Sequence, residues 1–400
     1  MAAARHIIVA GAGIAGLTAA LALTRAGMRV TILEQSDRLA ETGAGIQLSP
    51  NATRVLIALG LRDRLSPLVM VPQAIRVMSG GSGREIVRIP LGDEAERTYG
   101  APYWTIHRGD LQSVLAAAAT AAHDVTLKFG LPVVDFTGHA NGITVLARSA
   151  SKISDERGFA LIGADGLWSV VASRLCGRRR PHFAHRTAWR ALVPADSAPA
   201  EFRAPVVHLW LGLDAHLVHY PVKGGRLINI VGIVNDKWNK QGWSAAGDRD
   251  EILHHFARWS WAEKARSLIA LPDKWLKWAL YDRKAPFCGG VGAVTLIGDS
   301  AHPMLPFLAQ GAAMAIEDAA VLATMLGRYR GDPADALRGY EGARRHRTAR
   351  VQQVSRKQGR LYALSGPEAV IRNFAMRLMG GEKLRERYDW LYNWRPPEFT

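Results

Sequence analysis

The first 34 residues contain a strand, a glycine-rich turn and a helix in an order that restricts the fold more than any other feature of the chain. An apolar run at residues 7–10 precedes Gly11, Gly13 and Gly16, and an alanine- and leucine-rich stretch follows them. In a dinucleotide-binding fold, the first glycine allows the turn, the second lets the backbone approach a pyrophosphate, and the third lets the helix pack on the strand. Glu34 ends the second strand, where an acid that binds ribose hydroxyls is expected. The pattern predicts a dinucleotide site without distinguishing NAD from FAD.

A second segment, residues 294–318, distinguishes between the two cofactors. A short apolar run leads to Gly298 and Asp299 in a predicted loop, and Gly311 begins an amphipathic helix. Asp299 can then reach a ribityl hydroxyl. The N–H groups of Gly311 and Ala312, at the helix N-terminus, face the pyrimidine edge of an isoalloxazine, where negative charge collects when the flavin is reduced. Together the two segments predict bound FAD.

Nearly the whole chain resembles a known family, the single-component FAD-dependent aromatic hydroxylases, or group A flavoprotein monooxygenases. Within this family it resembles the salicylate hydroxylase and 3-hydroxybenzoate 6-hydroxylase-like branch. The segments that carry the resemblance are residues 11–16, 43–51, 107–111, 163–166 and 298–318, together with the aromatic tail at residues 388–394. The resemblance implies an α/β fold: a Rossmann-like FAD-binding domain of the GR2 type, as in p-hydroxybenzoate hydroxylase, an inserted mixed β-sheet substrate domain, and C-terminal helices.

The resemblance also implies roles for individual residues. In the family, the Asp-Gly turn at Asp165 is associated with both FAD and NAD(P)H binding, and the arginine at Arg108 contacts the flavin side of the site. From the residues alone, Asp165 is a common turn residue and Arg108 a surface arginine. The candidate FAD-binding residues are Gly11, Gly13, Ala15, Gly16, Glu34, Gln35, Gly45, Gln47, Arg108, Val133, Asp165, Asp299, Pro306, Gly311 and Ala312. No metal site is predicted.

Two polar residues on a predicted strand are the candidate catalytic pair. His216 and Tyr220 are four positions apart, so their side chains point to the same face of a strand. In the resembled branch, a histidine and a tyrosine with this spacing contact the substrate hydroxyl above the flavin. Imidazole suits a general base near neutral pH, and a phenol can orient or relay a proton. The alternative is a pair of satisfied polar residues in a half-buried strand.

These assignments predict a FAD-dependent monooxygenase that hydroxylates a small hydroxybenzoate-like aromatic acid with NAD(P)H and O₂ through a flavin C4a-hydroperoxide. Three alternatives remain open: a hydroxypyridine carboxylate or other heteroaromatic substrate, a non-oxygenating flavin-dependent reductase, and a non-enzymatic protein whose basic surface binds nucleic acid or anionic lipid, with flavin as a structural or sensing element. The residues do not distinguish NADH from NADPH. Candidates for apolar walls are Trp189, Trp210, Phe307 and Met314, and candidates for a carboxylate partner are Arg190 and Arg226.

The nucleotide-contacting segments are far apart in sequence, and this predicts a discontinuous FAD-binding domain. The regions between them contain short β-rich segments separated by glycine turns, which indicates a second, sheet-rich domain. The expected boundaries are residues 1–72, 101–180 and 285–335 for the FAD-binding domain, 73–100 and 181–284 for the substrate-binding domain, and 336–400 for a C-terminal helical segment.

Charge and cysteine content limit the partners. The net charge is +16, but the basic stretch at residues 344–360 lacks nucleic-acid-binding motifs and is interpreted as solvated helix surface, or as a surface that steers anionic substrates.

The apolar stretch at residues 7–24 carries the dinucleotide glycines, which argues against a signal peptide or membrane span. The widely spaced Cys176 and Cys288 indicate a reducing compartment without disulfides. We expect a cytoplasmic monomer or homodimer that binds a small aromatic substrate, O₂ and NADH or NADPH, and neither nucleic acid nor membrane.

Overall fold

The computed structural model describes residues 5–39, 43–140, 142–149, 153–177, 181–240, 242, 244–257, 261–283, 289–329 and 331–397. Its strands are β1 (His6–Ala10), β2 (Arg29–Leu33), β3 (Gly45–Leu48), β4 (Ala74–Ser79), β5 (Glu85–Pro90), β6 (Trp104–His107), β7 (Val125–Lys128), β8 (Val133–His139), β9 (Gly142–Arg148), β10 (Ile153–Gly158), β11 (Ala160–Gly163), β12 (His182–Pro194), β13 (Val207–Leu211), β14 (Ala215–Val222), β15 (Leu227–Asn235), β16 (Ala245–Gly247), β17 (Trp275–Asp282) and β18 (Val294–Leu296). Its helices are α1 (Ile14–Arg25), α2 (Pro50–Ala58), α3 (Arg62–Leu65), α4 (Gly92–Tyr99), α5 (Arg108–Ala121), α6 (Val170–Cys176), α7 (Arg249–Ala257), α8 (Glu263–Ala270), α9 (Gly311–Arg328), α10 (Pro333–Tyr362), α11 (Gly366–Glu386) and α12 (Asp389–Tyr392).

Five parallel strands form one sheet, here called the parallel sheet, in the order β18-β11-β1-β2-β7. Apolar residues of α1 and α9, such as Leu17, are fully buried in the core beside it. Because parallel strands have their carboxyl ends at the same edge, the loops that follow β1, β2, β11 and β18 meet there. These loops contain Gly11, Glu34, Asp165 and Asp299. The topology therefore brings together four predicted cofactor segments that are distant in sequence.

Eight strands form a second sheet, here called the large sheet, in the order β16-β17-β12-β15-β14-β13-β4-β5. Neighbouring strands are antiparallel except for the parallel pair of β4 and β13. One face packs against α7 and α8 around Trp189, Trp210 and Trp275, each at most 2% exposed. The opposite face is left for a cavity between the two sheets.

Smaller elements complete the architecture. Strands β8, β9 and β10 form an antiparallel sheet that packs beside the parallel sheet, and β3 pairs with β6. Helix α10 packs on α9, and α11 packs on β5 of the large sheet. The parallel sheet takes its strands from residues 6–163 and 294–296, whereas the large sheet takes them from 74–90 and 182–282. The domain boundaries given above stay a prediction.

One expectation about the cysteines is wrong. Cys176, the last residue of α6, is disulfide-bonded, and Cys288 lies outside the described residues. The expected absence of disulfides was part of the argument for a reducing compartment, so that argument is weakened and the cytoplasmic location stays a prediction. Within the described ranges, no helix combines the length and the apolar character needed to cross a membrane.

Candidate active site

A cavity of about 1730 Å³ lies between the carboxyl edge of the parallel sheet and the open face of the large sheet, and α10 and α11 contribute to its wall. Pockets for one drug-sized ligand measure about 300–1,000 Å³, so this volume suits a dinucleotide together with a small aromatic molecule. Gly16 is the one predicted site residue outside its lining. The predicted residues that line it are Gly11, Gly13, Ala15, Glu34, Gln35, Gly45, Gln47, Arg108, Val133, Asp165, His216, Tyr220, Asp299, Pro306, Gly311 and Ala312.

The three glycines of the first loop have different reasons for lacking a side chain. A Cβ on Gly16 would lie 1.9 Å from the Gly11 carbonyl oxygen, and one on Gly11 would lie 2.6 Å from the Ala164 carbonyl oxygen. Both glycines therefore allow close packing of backbone against backbone. A Cβ on Gly13 would meet nothing within 4 Å. Since no protein atom requires glycine there, the open space at the start of α1 fits a pyrophosphate held by helix N–H groups.

Glu34 is held at the edge of the cavity by two backbone donors. Its Oε2 accepts a hydrogen bond from the Ala12 N–H at 2.7 Å, and its Oε1 accepts one from the Ser36 N–H at 2.9 Å. A carboxylate oxygen has two lone-pair sites, so each oxygen can accept a further hydrogen bond from a ribose hydroxyl. The fixed carboxylate is consistent with the predicted ribose contact, which stays a prediction.

The carboxylate of Asp165 serves the fold directly. Its Oδ1 accepts a hydrogen bond from the Ser169 hydroxyl, and its Oδ2 accepts from the Val170 and Val171 N–H groups at 2.7 and 3.1 Å. Burial raises the pKa of Asp165, although these hydrogen bonds oppose the shift. The side chain thus fixes the turn that leads into α6. Its predicted contact with a nucleotide stays a prediction.

Asp299 projects into the cavity from the loop after β18. Its carboxylate is exposed within the cavity, while protein surrounds the loop on the other sides. Desolvation by the surrounding protein raises the pKa of Asp299, and His302 and Arg108 act in the opposite direction. A Cβ on Gly311 would lie 4.0 Å from Asp299 Oδ1, so the carboxylate is close to the first turn of α9. The N-cap residue of α9, Gln310, does not cap the helix with its side chain, which leaves the helix N-terminus open towards the cavity.

A buried ion network holds the loop that carries Asp299. Asp318 accepts a hydrogen bond from the Gly298 N–H at 2.8 Å and pairs with His302 at 2.6 Å and with Arg344 at 2.7 Å. Burial alone raises the pKa of Asp318, but His302 and Arg344 outweigh that effect and hold the pKa at about 2. Residues on both sides of Asp299 are therefore tied to one carboxylate on α9.

This network corrects the interpretation of residues 344–360 as solvated surface for Arg344 and Arg347, whereas Arg345, His346, Arg350, Lys357 and Arg360 are exposed. Arg344 is 1% exposed, and both Arg344 and Arg347 pair with Glu317, at 2.7 and 2.6 Å. Two adjacent acids, Glu317 and Asp318, in an otherwise apolar helix were a signal of the network, because fully buried carboxylates require partners. The partners lie on α10, at a distance along the chain that the sequence pattern did not connect.

At the other end of the cavity, His216 and Tyr220 both face inward from β14, while His219 faces the opposite side of the sheet and stacks on His208 at 4.4 Å. The His216 ring lies 5.5 Å from the ring of Phe307. The Tyr220 side chain forms a hydrogen bond with Gln47, whose Oε1 also accepts from the hydroxyl of Tyr103 at 2.8 Å. The predicted pair therefore shares one face, as the spacing requires.

Both members of this pair are electrically neutral at pH 7. Burial, with a smaller effect of Arg186, lowers the pKa of His216 to about 3. Burial raises the pKa of Tyr220 above its ordinary value. The sequence argument that the imidazole has the usual pKa of a histidine base does not hold in this environment, because desolvation disfavours its charged form.

The structure separates the two arginines considered for a carboxylate. Arg190 on β12 lines the cavity, and its guanidinium lies 4.9 Å from the ring centre of Trp278. Arg226 is exposed, and its Nε donates a hydrogen bond to the Lys223 carbonyl at 3.0 Å. Only tertiary structure distinguishes them, because both arginines are in or next to β-rich segments.

Aromatic residues from the C-terminal helices form part of the cavity wall. Tyr362, Tyr388 and Tyr392 line it, and Tyr392 packs edge-to-face on Tyr103 with 6.1 Å between ring centres. The tail at residues 388–394 was noted only as a family feature, since nothing in its local sequence indicates that it folds back to the cavity. Of the predicted apolar wall residues, Phe307 lines the cavity, whereas Trp189, Trp210 and Met314 are buried outside its lining.

The chain matches the family model for the FAD binding domain over residues 5–356. It is 39% identical over 391 residues to 3-hydroxybenzoate 6-hydroxylase 1 of Aquipseudomonas alcaligenes, which covers 97% of this chain and 96% of that protein. It is 38% identical over 400 residues to 3-amino-4-hydroxybenzoate 2-monooxygenase PtnB3 of Streptomyces platensis, with 97% and 95% covered. The fold is similar to that of Klebsiella pneumoniae HpxO complexed with FAD and uric acid, with a TM-score of 0.84, 26% identity, and 96% and 95% of the two chains covered.

Proposed function

Because this chain belongs to the FAD-binding family of aromatic hydroxylases, we propose that its substrate is a small hydroxylated aromatic acid of the hydroxybenzoate type. The protein is a flavin-dependent monooxygenase with FAD as cofactor and NAD(P)H and O₂ as cosubstrates. Two relatives whose names specify hydroxybenzoate substrates align with nearly the whole chain, which supports this substrate class.

The observation that carries the proposal is that one cavity contains both parts of the required site. The glycine loop and the N-terminus of α9 lie at one end, and His216, Tyr220 and Arg190 lie at the other. When bound, FAD takes electrons from NAD(P)H and uses them to activate O₂ for transfer of one oxygen atom. The protein must then hold a substrate ring beside the flavin and increase its electron density.

The residues present fit FAD. The open space at Gly13 and the N–H groups at the start of α1 suit the pyrophosphate, and the carboxylate of Glu34 suits a ribose. Asp299 is positioned for the ribityl chain. The open N-terminus of α9, at Gly311 and Ala312, suits the pyrimidine edge of the ring, where helix N–H groups stabilise negative charge.

His216 and Tyr220 act on the substrate hydroxyl as neutral groups. An uncharged imidazole nitrogen of His216 can accept the hydroxyl hydrogen, which pushes electron density into the aromatic ring. The hydrogen bond from Gln47 lowers the pKa of Tyr220, as expected when the Gln47 amide N–H donates to the phenol oxygen. The Tyr220 hydroxyl hydrogen is then available to the substrate oxygen. We infer that the pair orients and polarises the hydroxyl through these hydrogen bonds, with His216 as the acceptor.

The test begins with the visible spectrum of the purified protein, followed by oxidation of NADH and of NADPH with a panel of hydroxylated aromatic acids and analysis of the products. His216→Asn should retain bound flavin and lower the rate of coupled hydroxylation by about 10- to 100-fold, the effect of losing one well-placed hydrogen bond to the reacting hydroxyl. His123→Asn is the matched control, because the His123 side chain is 99% exposed.

The outcomes separate the alternatives. A product with one added hydroxyl supports the proposal and identifies the substrate, including a hydroxypyridine carboxylate if that compound is the one hydroxylated. Flavin reduction without any oxygenated product in the wild type would support a reductase instead. Unchanged product formation in His216→Asn would contradict the role of His216. The cytoplasmic location and the monomeric or dimeric state are also proposals. Cell fractionation tests the location, and gel filtration tests the oligomeric state.

A further inference from the structure

We propose that Arg190 binds the carboxylate of the aromatic acid and thereby selects acids over neutral phenols. This inference rests on the proposed function, since it specifies the chemistry of the same substrate. Among the described residues of the large sheet that line the cavity, Arg190 is the only one with a cationic side chain.

Arg190 is half-buried in the cavity wall, and no anionic partner for it lies among the described residues. Its Nε has no hydrogen-bond partner, and its described protein contact is with the face of Trp278, at 4.9 Å. Elsewhere in the cavity wall, acids such as Glu34 and Asp165 are satisfied by backbone N–H groups. A ligand that covered this guanidinium without pairing its charge would incur a desolvation penalty of several kcal/mol, so an anionic group on the ligand is expected to complete the site.

The surroundings of Arg190 are short of negative charge. Burial lowers the pKa of Arg190; Tyr220 opposes this shift, and the nearby charge of Arg108 adds to it. A carboxylate would reverse this lowering by neutralising the guanidinium. Arginine matches a carboxylate with two parallel N–H···O bonds, which a lysine cannot reproduce.

The strand register places Arg190 opposite the predicted catalytic pair. Arg190 on β12 is level with Val231 on β15, and Val231 is level with Val218 on β14. His216 and Tyr220 lie two residues on either side of Val218 along β14. Two strand spacings, about 10 Å, therefore separate the backbone of Arg190 from that of Val218.

Val218 and Val231 line the cavity between these polar groups. An aromatic ring over this apolar floor would present its hydroxyl to His216 and Tyr220 and its carboxylate to Arg190. The three polar side chains and the floor thus match the two polar ends and the apolar middle of a hydroxybenzoate. A phenol without a carboxylate would leave the guanidinium unpaired.

The test is a binding titration of the FAD-loaded enzyme with 3-hydroxybenzoate and with the neutral 3-hydroxybenzamide, followed by the change in flavin absorbance. The wild type should bind the acid about 10- to 100-fold more tightly than the amide, as expected for charge-assisted hydrogen bonds. Arg190→Met should lose this preference while amide binding changes little. Arg190→Lys should retain part of it. Arg226→Met is the matched control, because Arg226 lies on the exposed surface, and it should behave as the wild type.

Three results for Arg190→Met would overturn the inference. The first is an unchanged ratio of the affinities for the acid and the amide, and the second is an equal loss of affinity for both ligands. The third is a shifted flavin reduction potential with the preference intact, which would assign Arg190 to the flavin. If Arg190→Met does not retain FAD, an unchanged preference in Arg190→Met protein measured with saturating FAD would also overturn it. Failure of the proposed function is a separate result, because it appears as wild-type enzyme that forms no hydroxylated product from any acid of the panel.

Discussion

The two walls of the cavity present different kinds of groups. The edge of the parallel sheet presents backbone: a glycine loop, the N-termini of α1 and α9, and carboxylates such as Glu34 that are already held by N–H groups. The large sheet presents side chains to the cavity, and among the described residues the buried Nε of Arg190 lacks a hydrogen-bond partner there. Backbone groups dominate the first wall, whereas the second wall depends on side chains that a ligand can pair.

This difference follows from what each wall would bind. A cofactor is the same in every turnover, so backbone N–H groups, which every residue except proline supplies, can hold it. In the sequence, a cofactor site is therefore marked by glycines at fixed positions, where a side chain would block the approach of the backbone. A substrate must be recognised by particular side chains on a strand, where many residue types support the same backbone. We therefore expect changes to the first wall to affect folding and cofactor retention, and changes to the second to affect selectivity and pH dependence.

The largest effect is expected where the network of the first wall is broken. Arg344→Met removes the cation between Glu317 and Asp318, both fully buried, and should lower the free energy of unfolding by about 3–5 kcal/mol. Urea unfolding measured by tryptophan fluorescence checks this. The exposed neighbour provides the control, because Arg345→Met should change the stability little. Equal stability of the two variants would contradict the structural importance of the network.

A smaller effect is expected at the glycine that faces open space. Gly13→Ala should leave the folding of the apoprotein intact, since no protein atom lies within 4 Å of the added Cβ. It should weaken FAD binding by about 10- to 100-fold, because the methyl group occupies space assigned to the pyrophosphate. Fluorescence titration of the apoprotein with FAD measures this.

Two further glycines sharpen that test. Gly16→Ala should impair folding itself, since its Cβ would lie 1.9 Å from the Gly11 oxygen. Gly342→Ala, where a Cβ meets nothing within 4 Å on the exposed side of α10, should neither impair folding nor weaken FAD binding. Tight FAD binding by Gly13→Ala would place the pyrophosphate elsewhere.

The smallest effect concerns the histidine stack in the large sheet. Burial, with Arg76 and Arg88, lowers the pKa of His208 to about 4, and burial lowers that of His219 further below its ordinary value. In the unfolded chain these histidines take up a proton below about pH 6.5, whereas in the folded protein they stay neutral. Their contribution to the free energy of unfolding is therefore complete above about pH 6.5 and is lost as the pH falls towards 4.

The expected loss between pH 7.5 and 5.5 is about 1 kcal/mol for each histidine. His219→Phe should make the acid loss shallower by about that amount, whereas His123→Phe, at an exposed site, should leave it unchanged. Unfolding free energies measured at both pH values check this. An identical pH dependence in wild type and His219→Phe would show that the stack titrates normally.

The parts of the fold that depend on local pattern were predictable. The strand and glycine turn at Gly11, the helix that begins at Gly311, and the shared face of His216 and Tyr220 all follow from spacing along a single element. The FAD cofactor and the monooxygenase activity followed from the family resemblance. Each of these features involves residues that are neighbours in the sequence.

The features that were missed depend on contacts between distant segments. Arg344 was interpreted as surface because its helix is polar, and its burial depends on Glu317 and Asp318 of another helix. The usual pKa assumed for His216 fails because several separate elements exclude water from it. The disulfide at Cys176 also has no local signal.

The amino-acid sequence by itself determined where the chain needs glycine and which short segments form strands. It thus determined that a dinucleotide fold with an inserted sheet would form. Local backbone geometry depends on neighbouring residues, so it can be read from them. The tertiary structure alone decided which arginine enters the cavity, which acids are already satisfied, and which polar groups remain for a ligand. Burial and charge pairing depend on everything that packs around a group, and only the folded chain brings those surroundings together.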